Sequence, residues 1–356
     1  MSSESGVRHT YSPNVQAARG LSILLVLLSH FFHWPRHAGT LGVSLFFCIS
    51  GYLITSILLD EFQQNGRVNY KEFYLRRARR LLPLAYVVIL VTTLIFTILR
   101  FYYPRLETFP DLQINQKQLL LSALFCLAYL GNLFGYAHLG FNDLTFPLGH
   151  FWSLGVEEQF YIFWPGLLVF MLRKYTNLKL LKFVTIGVFL AIVFRTLLTL
   201  ANKTVWTLPT TYLDILLMGA IIAILKFKFS VFITKRISLY FIMPSVASLT
   251  YIFYSTISQA DYSGLGYVII SIAVISGFIC LLGFPIFGSI KPLKWLGDYS
   301  YSLYCIHWPV YELCLFFFDN YTIRLATAIA SSFILSILSR KYLEVIFWKS
   351  RFQATN

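Results

Sequence analysis

Long apolar runs separated by short polar connections dominate the pattern along the chain. Ten runs are long enough to cross about 30 Å of hydrocarbon as helices. They lie near 15–33, 41–59, 81–101, 151–171, 183–200, 208–225, 238–257, 264–288, 295–318 and 322–339. An eleventh run, 119–135, is also apolar. The pattern predicts an all-α fold, a polytopic transmembrane bundle of about ten spanning helices.

Lysine and arginine concentrate in alternate connections, and this decides how the eleventh run is interpreted. Cytoplasmic loops carry an excess of these residues. Most of the 29 basic residues lie on the cytoplasmic side if the amino terminus is cytoplasmic and 119–135 does not cross the membrane. We therefore expect 119–135 to be re-entrant or interfacial and both termini to be cytoplasmic. Short tails at 1–14 and 346–356 would then flank a transmembrane domain at 15–345.

The composition indicates that most of this chain is surrounded by lipid rather than by water. Of its 356 residues 57% are hydrophobic and 12% charged, whereas soluble domains are about 25% charged. This excludes a soluble enzyme, a secreted disulfide scaffold and a disordered tail. The net charge of +14 is explained by topology and by attraction to anionic headgroups, so no nucleic-acid partner is expected. The 5 cysteines lie in apolar runs without paired spacing, so we expect neither a disulfide framework nor a metal site.

A few ionisable residues interrupt the spans, and such residues usually mark a functional interior. Arg19 and His30 lie close to three helical turns apart in the first span, so both face one side of that helix. Placing the ten runs through the membrane in alternating directions puts His30, Glu157 and Asp214 at a similar depth, in the outer half of the bilayer. An imidazole beside carboxylates is typical of a general base. A polar network that only holds helices together fits the same pattern.

An arginine cluster at the cytoplasmic mouth of the third span is the second candidate site. It comprises Arg76, Arg77, Arg79 and Arg80, and Pro83 follows it. Guanidinium groups bind phosphate bidentately, so the cluster is suited to the phosphates of a cytoplasmic nucleotide-containing donor. A topology determinant lying against anionic lipid would have the same pattern.

Four segments together resemble the integral-membrane acyltransferase-3 family, which includes enzymes that O-acetylate bacterial surface polysaccharides. In chain order they are Arg19-Gly20 with His30, GVSLFFCISGYLI at 42–54, FWSLGVEEQFYIFWP at 151–165 and LGDYSYSLYCIHWPV at 296–310. The second segment leads to the arginine cluster. The four are spread over nearly the whole chain, which makes the resemblance specific.

The resemblance implies a membrane O-acyltransferase, most simply an O-acetyltransferase. It would move an acyl group from cytoplasmic acetyl-CoA, or another acyl-CoA, to a hydroxyl outside the bacterial inner membrane. The donor would be a co-substrate rather than a permanently bound cofactor. The acceptor would be a glycan or a lipid-linked saccharide, for example lipopolysaccharide. A transporter or flippase for a phosphate-bearing lipid, with the same charges acting as a relay, is the alternative.

The resemblance also implies residue roles. His30 would deprotonate the acceptor hydroxyl or carry the acyl group covalently, and acidic residues would assist it. The catalytic set comprises His30, Glu157, Glu158 and Asp214. The substrate-binding set comprises Arg19, Arg76, Arg77, Arg79, Arg80, Ser153 and His307.

The chain departs from the family pattern in two respects. Many members carry a basic residue two positions before the acid of the family's seventh helix, whereas this chain has Tyr212 before Asp214. Many also append a soluble esterase-like domain, and this chain stops at Asn356, so we expect the membrane domain to work alone. The first 18 residues lack the features of a signal peptide, so the first helix is expected to stay as an anchor. The acceptor, the acyl chain length and the oligomeric state stay open.

Overall fold

A computed structural model describes residues 12–32, 37–102, 116–136, 147–201, 207–257 and 264–344. Within these ranges all regular secondary structure is helical, as predicted. The α-helices are α1 (Pro13–Phe32), α2 (Ala38–Asn65), α3 (Tyr70–Tyr102), α4 (Gln116–Leu127), α5 (Trp152–Lys174), α6 (Asn177–Leu200), α7 (Pro209–Phe229), α8 (Lys235–Ile257), α9 (Gly264–Gly283), α10 (Pro285–Ser289), α11 (Lys291–Phe317) and α12 (Tyr321–Leu338). Two 3-10 segments, Gly131–Tyr136 and Gly149–Phe151, precede α5, and a π-helical turn, Ser339–Glu344, follows α12.

Each predicted run gives a long helix in the described part of the chain. Seven of these, α1, α2, α3, α6, α8, α9 and α12, are long and apolar enough to cross a membrane. The other three long helices are α5, α7 and α11. They carry Glu157, Asp214 and His307, respectively. The fold class is therefore confirmed, and the chain is an integral membrane protein. The count of ten spans, the cytoplasmic termini and the two tails, most of whose residues lie outside the described ranges, stay predictions.

The eleventh run, 119–135, forms only a short helix. α4 has 12 residues, about 18 Å at 1.5 Å per residue, which is shorter than the hydrocarbon layer. The chain then turns at Tyr129, whose φ is 56°. Gln159 of α5 donates hydrogen bonds to the carbonyl oxygen of Tyr129 at 3.2 Å and to Oδ1 of Asn132 at 2.8 Å. A short helix followed by an anchored turn fits a re-entrant or interfacial segment.

One predicted run is broken in the structure. The run at 264–288 forms α9 and then the separate short helix α10. Proline disfavours helical geometry in the residue before it and has no N–H for the helical ladder. Phe284, which precedes Pro285, is accordingly extended, with φ −99° and ψ 107°. The run at 264–288 thus gives a helix long enough to span, α9, and ends in a separate short helix for a local chemical reason.

Contacts between residues divide the chain into two compact units. Unit 1 comprises Met1–Val68 and Phe160–Ser300, and unit 2 comprises Asn69–Gln159 and Tyr301–Asn356. One of the three boundaries falls between α2 and α3, and the other two fall inside α5 and α11. Unit 1 carries the predicted site residues Arg19, His30 and Asp214. Unit 2 carries Arg76, Arg77, Arg79, Arg80, Ser153, Glu157, Glu158 and His307.

Within unit 1, α2 and α7 pack with their backbones in direct contact. A Cβ built at Gly51 would lie 1.9 Å from the carbonyl oxygen of Leu216. A Cβ at Gly219 would lie 2.0 Å from the carbonyl oxygen of Cys48. Small residues permit this close approach between membrane helices, where van der Waals packing drives association. The crossing therefore depends on glycine at both positions.

The start of α11 contacts α1 in the same way. A Cβ at Gly20 would lie 1.9 Å from the Leu293 carbonyl oxygen, and one at Gly297 would lie 2.0 Å from the Gln16 carbonyl oxygen. Gly20 directly follows Arg19, and Gly297 belongs to the segment at 296–310. Backbone contact inside unit 1 thus joins two of the segments that carry the family resemblance.

Candidate functional site

His30 lies in the last turn of α1, half-buried within unit 1. A Cβ built at Gly39, near the start of α2, would lie 2.9 Å from the Ser29 hydroxyl and 3.9 Å from His30 Nε2. Glycine at position 39 therefore permits close packing of α2 against Ser29, the neighbour of His30. Because α1 is continuous, His30 and the half-buried Arg19 share one helix face, about 16 Å apart along the axis.

Asp214 lies in a sealed polar cluster of unit 1. Arg195 Nη1 is 2.9 Å from Asp214 Oδ1, and the two side chains are 1% and 0% exposed. The Ser271 hydroxyl donates to Asp214 Oδ2 at 2.7 Å, and Arg195 also donates to the carbonyl oxygen of Thr211 at 2.6 Å. The guanidinium lies 5.6 Å from the centre of the Tyr267 ring. Both carboxylate oxygens of Asp214 therefore have a hydrogen-bond donor.

This cluster joins three helices, because Arg195 lies on α6, Asp214 on α7 and Ser271 on α9. In the family that the sequence resembles, many members carry a basic residue two positions before this acid, whereas this chain has Tyr212 there. Arg195, on the neighbouring helix α6, supplies a guanidinium to Asp214 instead. The predicted catalytic role of Asp214 stays a prediction. Its burial and its two donors are the features of an ion pair that holds helices together.

In unit 2 the arginine cluster meets the acidic pair of α5. Arg77 Nη2 donates to Glu158 Oε1 at 2.9 Å, and the two side chains are 19% and 22% exposed. Arg76, Arg79 and Arg80 are all exposed. Residues three and four apart share a helix face, so these three arginines form one exposed face of α3. Arg77 is less exposed than these three and pairs with α5.

The contact with Arg77 also fixes the level of the acids along α3. Arg77 belongs to the first third of α3, the end for which the basic residues predict a cytoplasmic location. The sequence threading instead put Glu157, the neighbour of Glu158, a turn or two below the outer surface. The difference arises because hydropathy locates an apolar run but not its depth. Two 3-10 segments and the short helix α4 precede α5, so its first residue need not lie at the outer surface.

Ser153 and His307, both predicted to bind substrate, belong to one buried network of unit 2. The Tyr304 hydroxyl contacts the Ser153 hydroxyl and donates to the His150 carbonyl oxygen at 2.9 Å. His307 Nδ1 lies 2.8 Å from the carbonyl oxygen of Leu303, and the His150 and His307 rings are 5.6 Å apart. None of these four polar side chains is more than 6% exposed. The network connects the start of α5 to α11.

His150 is the member of this network that sequence reasoning missed. It stands three residues before Ser153 and directly precedes the segment at 151–165. That spacing puts the two residues on adjacent positions of one helical turn, which is the signal that could have identified it. In the described residues, no cluster of three or more histidine, cysteine or acidic side chains could hold a metal ion.

Comparison with known proteins places this geometry in a family. The acyltransferase domain family matches residues 13–341. The peptidoglycan O-acetyltransferase OatA of Listeria monocytogenes is 31% identical, over 96% of this chain and 56% of its own length. The O-acetyltransferase OatA of Staphylococcus aureus is 32% identical, over 84% of this chain and 50% of its own length.

The chain spans about half the length of the curated relatives it matches. No solved structure matches it. The family match nevertheless covers α1 through α12 and includes every candidate residue described above. This chain therefore belongs to the acyltransferase domain family, as an integral membrane member of it.

Proposed function

We propose that this chain is a membrane O-acetyltransferase that moves an acetyl group from cytoplasmic acetyl-CoA to a hydroxyl of a cell-wall glycan. The observation that carries the proposal is the family match over 13–341, with relatives named as O-acetyltransferases. One of these relatives is named for peptidoglycan, so peptidoglycan replaces lipopolysaccharide as the proposed acceptor. The relatives give no support to a transporter or flippase. The bacterial cell membrane is the expected location.

The exposed face of α3 supports a phosphate-bearing donor. Arg76, Arg79 and Arg80 present three guanidinium groups at the end of α3 that we assign to the cytoplasm. CoA carries a diphosphate and a sugar phosphate, and arginine binds such groups through charge-assisted, often bidentate, hydrogen bonds. The same face would repel a cationic substrate.

His30 is the residue that we propose as the base. It would remove the proton of the acceptor hydroxyl as that oxygen attacks the thioester carbonyl, so a C–O bond forms and the C–S bond breaks. The proton then passes to the departing thiolate, which leaves free CoA. In the covalent alternative, an imidazole nitrogen takes the acetyl group first and the acceptor hydroxyl attacks the acetyl-imidazole.

The test is acetyl transfer by the purified chain in liposomes, with radiolabelled acetyl-CoA and soluble peptidoglycan fragments. We expect His30→Gln to lower the transfer rate about a hundredfold or more, the usual contribution of a general base. His37→Gln, a matched change at the start of α2, should retain transfer. Label entering glycan at an equal rate with wild type and His30→Gln would contradict the role of His30. No transfer by a folded wild-type chain would contradict the proposed function.

A further inference from the structure

Glu312 is a buried carboxyl group without a hydrogen-bond partner in the described part of the chain. It lies on α11, within unit 2, and 0% of the residue is exposed. Neither of its carboxyl oxygens makes a hydrogen bond. Burying such a group is costly when nothing compensates it, and ionisable residues inside membrane helices usually mark function. Glu312 therefore does not stabilise the fold, and its burial points to a partner from outside the chain.

Arg324 lies at the same end of the hairpin that α11 and α12 form. Only residues 318–320 separate the two helices, and Glu312 stands five residues before the end of α11, Arg324 three residues after the start of α12. At 1.5 Å per residue, these positions are about 7.5 Å and about 4.5 Å from the connection. The Tyr311 hydroxyl interacts electrostatically with both side chains. The two charged residues therefore share one neighbourhood around Tyr311.

The Arg324 guanidinium makes no ion pair with a described residue. It lies 5.5 Å from the centre of the Tyr321 ring, and its buried Nε has no hydrogen-bond partner. Neither Glu312 nor the exposed Asp319 of the connection pairs with it. The sequence predicts an outer location for this connection, where arginine is not needed to set the topology. Because Arg324 is partly exposed, it is available to an anion that arrives from that side.

Aromatic rings complete the cluster. Trp308 precedes Glu312 by four residues, so the two share a face of α11. The Trp308 and Tyr311 rings stack, with centroids 5.9 Å apart and an interplanar angle of 28°. The Tyr321 ring, beside the guanidinium, is 46% exposed. Such rings suit a sugar, because an aromatic side chain offers an apolar face beside polar groups.

We propose that Trp308, Glu312 and Arg324 form a subsite for the acceptor glycan in unit 2. The guanidinium binds a carboxylate of the glycan, and Glu312 accepts a hydrogen bond from a sugar hydroxyl or acetamido N–H group. Peptidoglycan carries all of these groups. Glu312 is covered in this structure, so the glycan group that pairs with it displaces a side chain that covers it. The inference rests on the proposed function, because it assigns the recognition of the acceptor which that function requires.

The carboxylate part of the subsite is tested with one acceptor in two charge states. Acetyl transfer by the full chain in liposomes is measured with soluble peptidoglycan fragments and with the same fragments whose carboxyl groups are converted to amides. We expect Arg324→Gln to raise KM for the native fragments about fivefold or more, since it removes a charge-assisted hydrogen bond. For the amidated fragments the rise should stay below about twofold. Lys117→Gln, which removes an exposed positive charge from α4, should change neither KM.

The part played by Glu312 is tested by separating stability from transfer. Glu312→Leu replaces an unpartnered carboxyl by an apolar side chain of similar size, so the midpoint of thermal unfolding should equal or exceed that of wild type. The same variant should raise KM for the native fragments roughly tenfold. The Kd for acetyl-CoA, measured in nanodiscs, should stay within about twofold of wild type, because the donor does not contact this subsite. Glu312→Gln keeps one acceptor oxygen and should recover part of the loss.

Contrary results have separate meanings. Equal rises in KM for native and amidated fragments with Arg324→Gln would show that Arg324 does not recognise a carboxylate. A stable Glu312→Leu chain with the KM of wild type would remove Glu312 from the subsite, and a chain that fails to fold would show that the carboxyl serves the fold. These three results leave the proposed function intact. A folded wild-type chain that transfers acetyl groups to neither form of the acceptor would overturn the proposed function, and the inference with it.

Discussion

Two arginine–carboxylate pairs with the same 2.9 Å separation occupy opposite environments. In unit 1, Arg195 and Asp214 are 1% and 0% exposed, and Ser271 donates a further hydrogen bond to the carboxylate. In unit 2, Arg77 and Glu158 are 19% and 22% exposed. Distance alone therefore does not show how much an ion pair contributes to folding, whereas burial and the remaining partners do.

Solvation explains why the two pairs should behave differently. Removing two charges from water costs several kcal/mol for each ion, so a buried pair is retained only when its hydrogen bonds are nearly complete. Breaking such a pair leaves an uncompensated charge inside the helix bundle. A partly exposed pair keeps water as a substitute partner, so its contribution to folding is small. The sealed pair is therefore expected to contribute much more to stability than the accessible pair.

The largest expected effect comes from Asp214→Asn. The change leaves the Arg195 guanidinium buried without a counter-charge, and we expect a loss of about 3–5 kcal/mol in the free energy of unfolding. Thermal unfolding in detergent, followed by intrinsic tryptophan fluorescence, measures it. Asp319→Asn, at an exposed position after α11, is the matched control and should change stability by less than about 0.5 kcal/mol.

A double variant sharpens that comparison. Arg195→Met with Asp214→Leu removes both charges and should cost less than Asp214→Asn alone. The opposite pattern, in which Asp214→Asn unfolds like wild type but no longer transfers acetyl groups, would make Asp214 catalytic. It would also contradict the structural role that its contacts favour.

The sequence predicts much of the fold because hydropathy is a local property. The apolar runs gave the long helices, and the run that the basic residues set apart, 119–135, forms only a short helix. The break before Pro285 is also local, and proline chemistry could have predicted it. The class of chemistry came from four segments of resemblance rather than from any single residue.

Pairing between helices is the part that the sequence could not provide. A helical period shows which face Asp214 occupies but not which neighbour covers that face, so Arg195 was only an isolated charge within a span. The contact between Arg77 and Glu158 was not predictable either, since it depends on where α5 begins relative to α3. Arg77 likewise looked equivalent to Arg79 until α5 supplied a partner for one of them.

The next effect in size tests the helix packing of unit 1. Gly51→Ala would put a methyl group 1.9 Å from the Leu216 carbonyl oxygen, so α2 and α7 must separate. We expect a loss of about 1–3 kcal/mol. Gly166→Ala in α5 is the matched control, because a Cβ there meets nothing within 4 Å, and alanine favours a helix by up to about 1 kcal/mol. Equal unfolding midpoints for the two variants would show that the α2–α7 crossing is not as tight as described.

The smallest stability effect is expected at the accessible pair. Glu158→Gln removes one charge from a partly exposed contact, and water can solvate the Arg77 guanidinium in its place. The free energy of unfolding should therefore fall by no more than about 1 kcal/mol, measured by the same fluorescence assay as Asp214→Asn. The loss should shrink further in high salt, because the contact is partly screened. A loss as large as that of Asp214→Asn would contradict this comparison, because it would show that the partly exposed pair contributes as much to folding as the buried one.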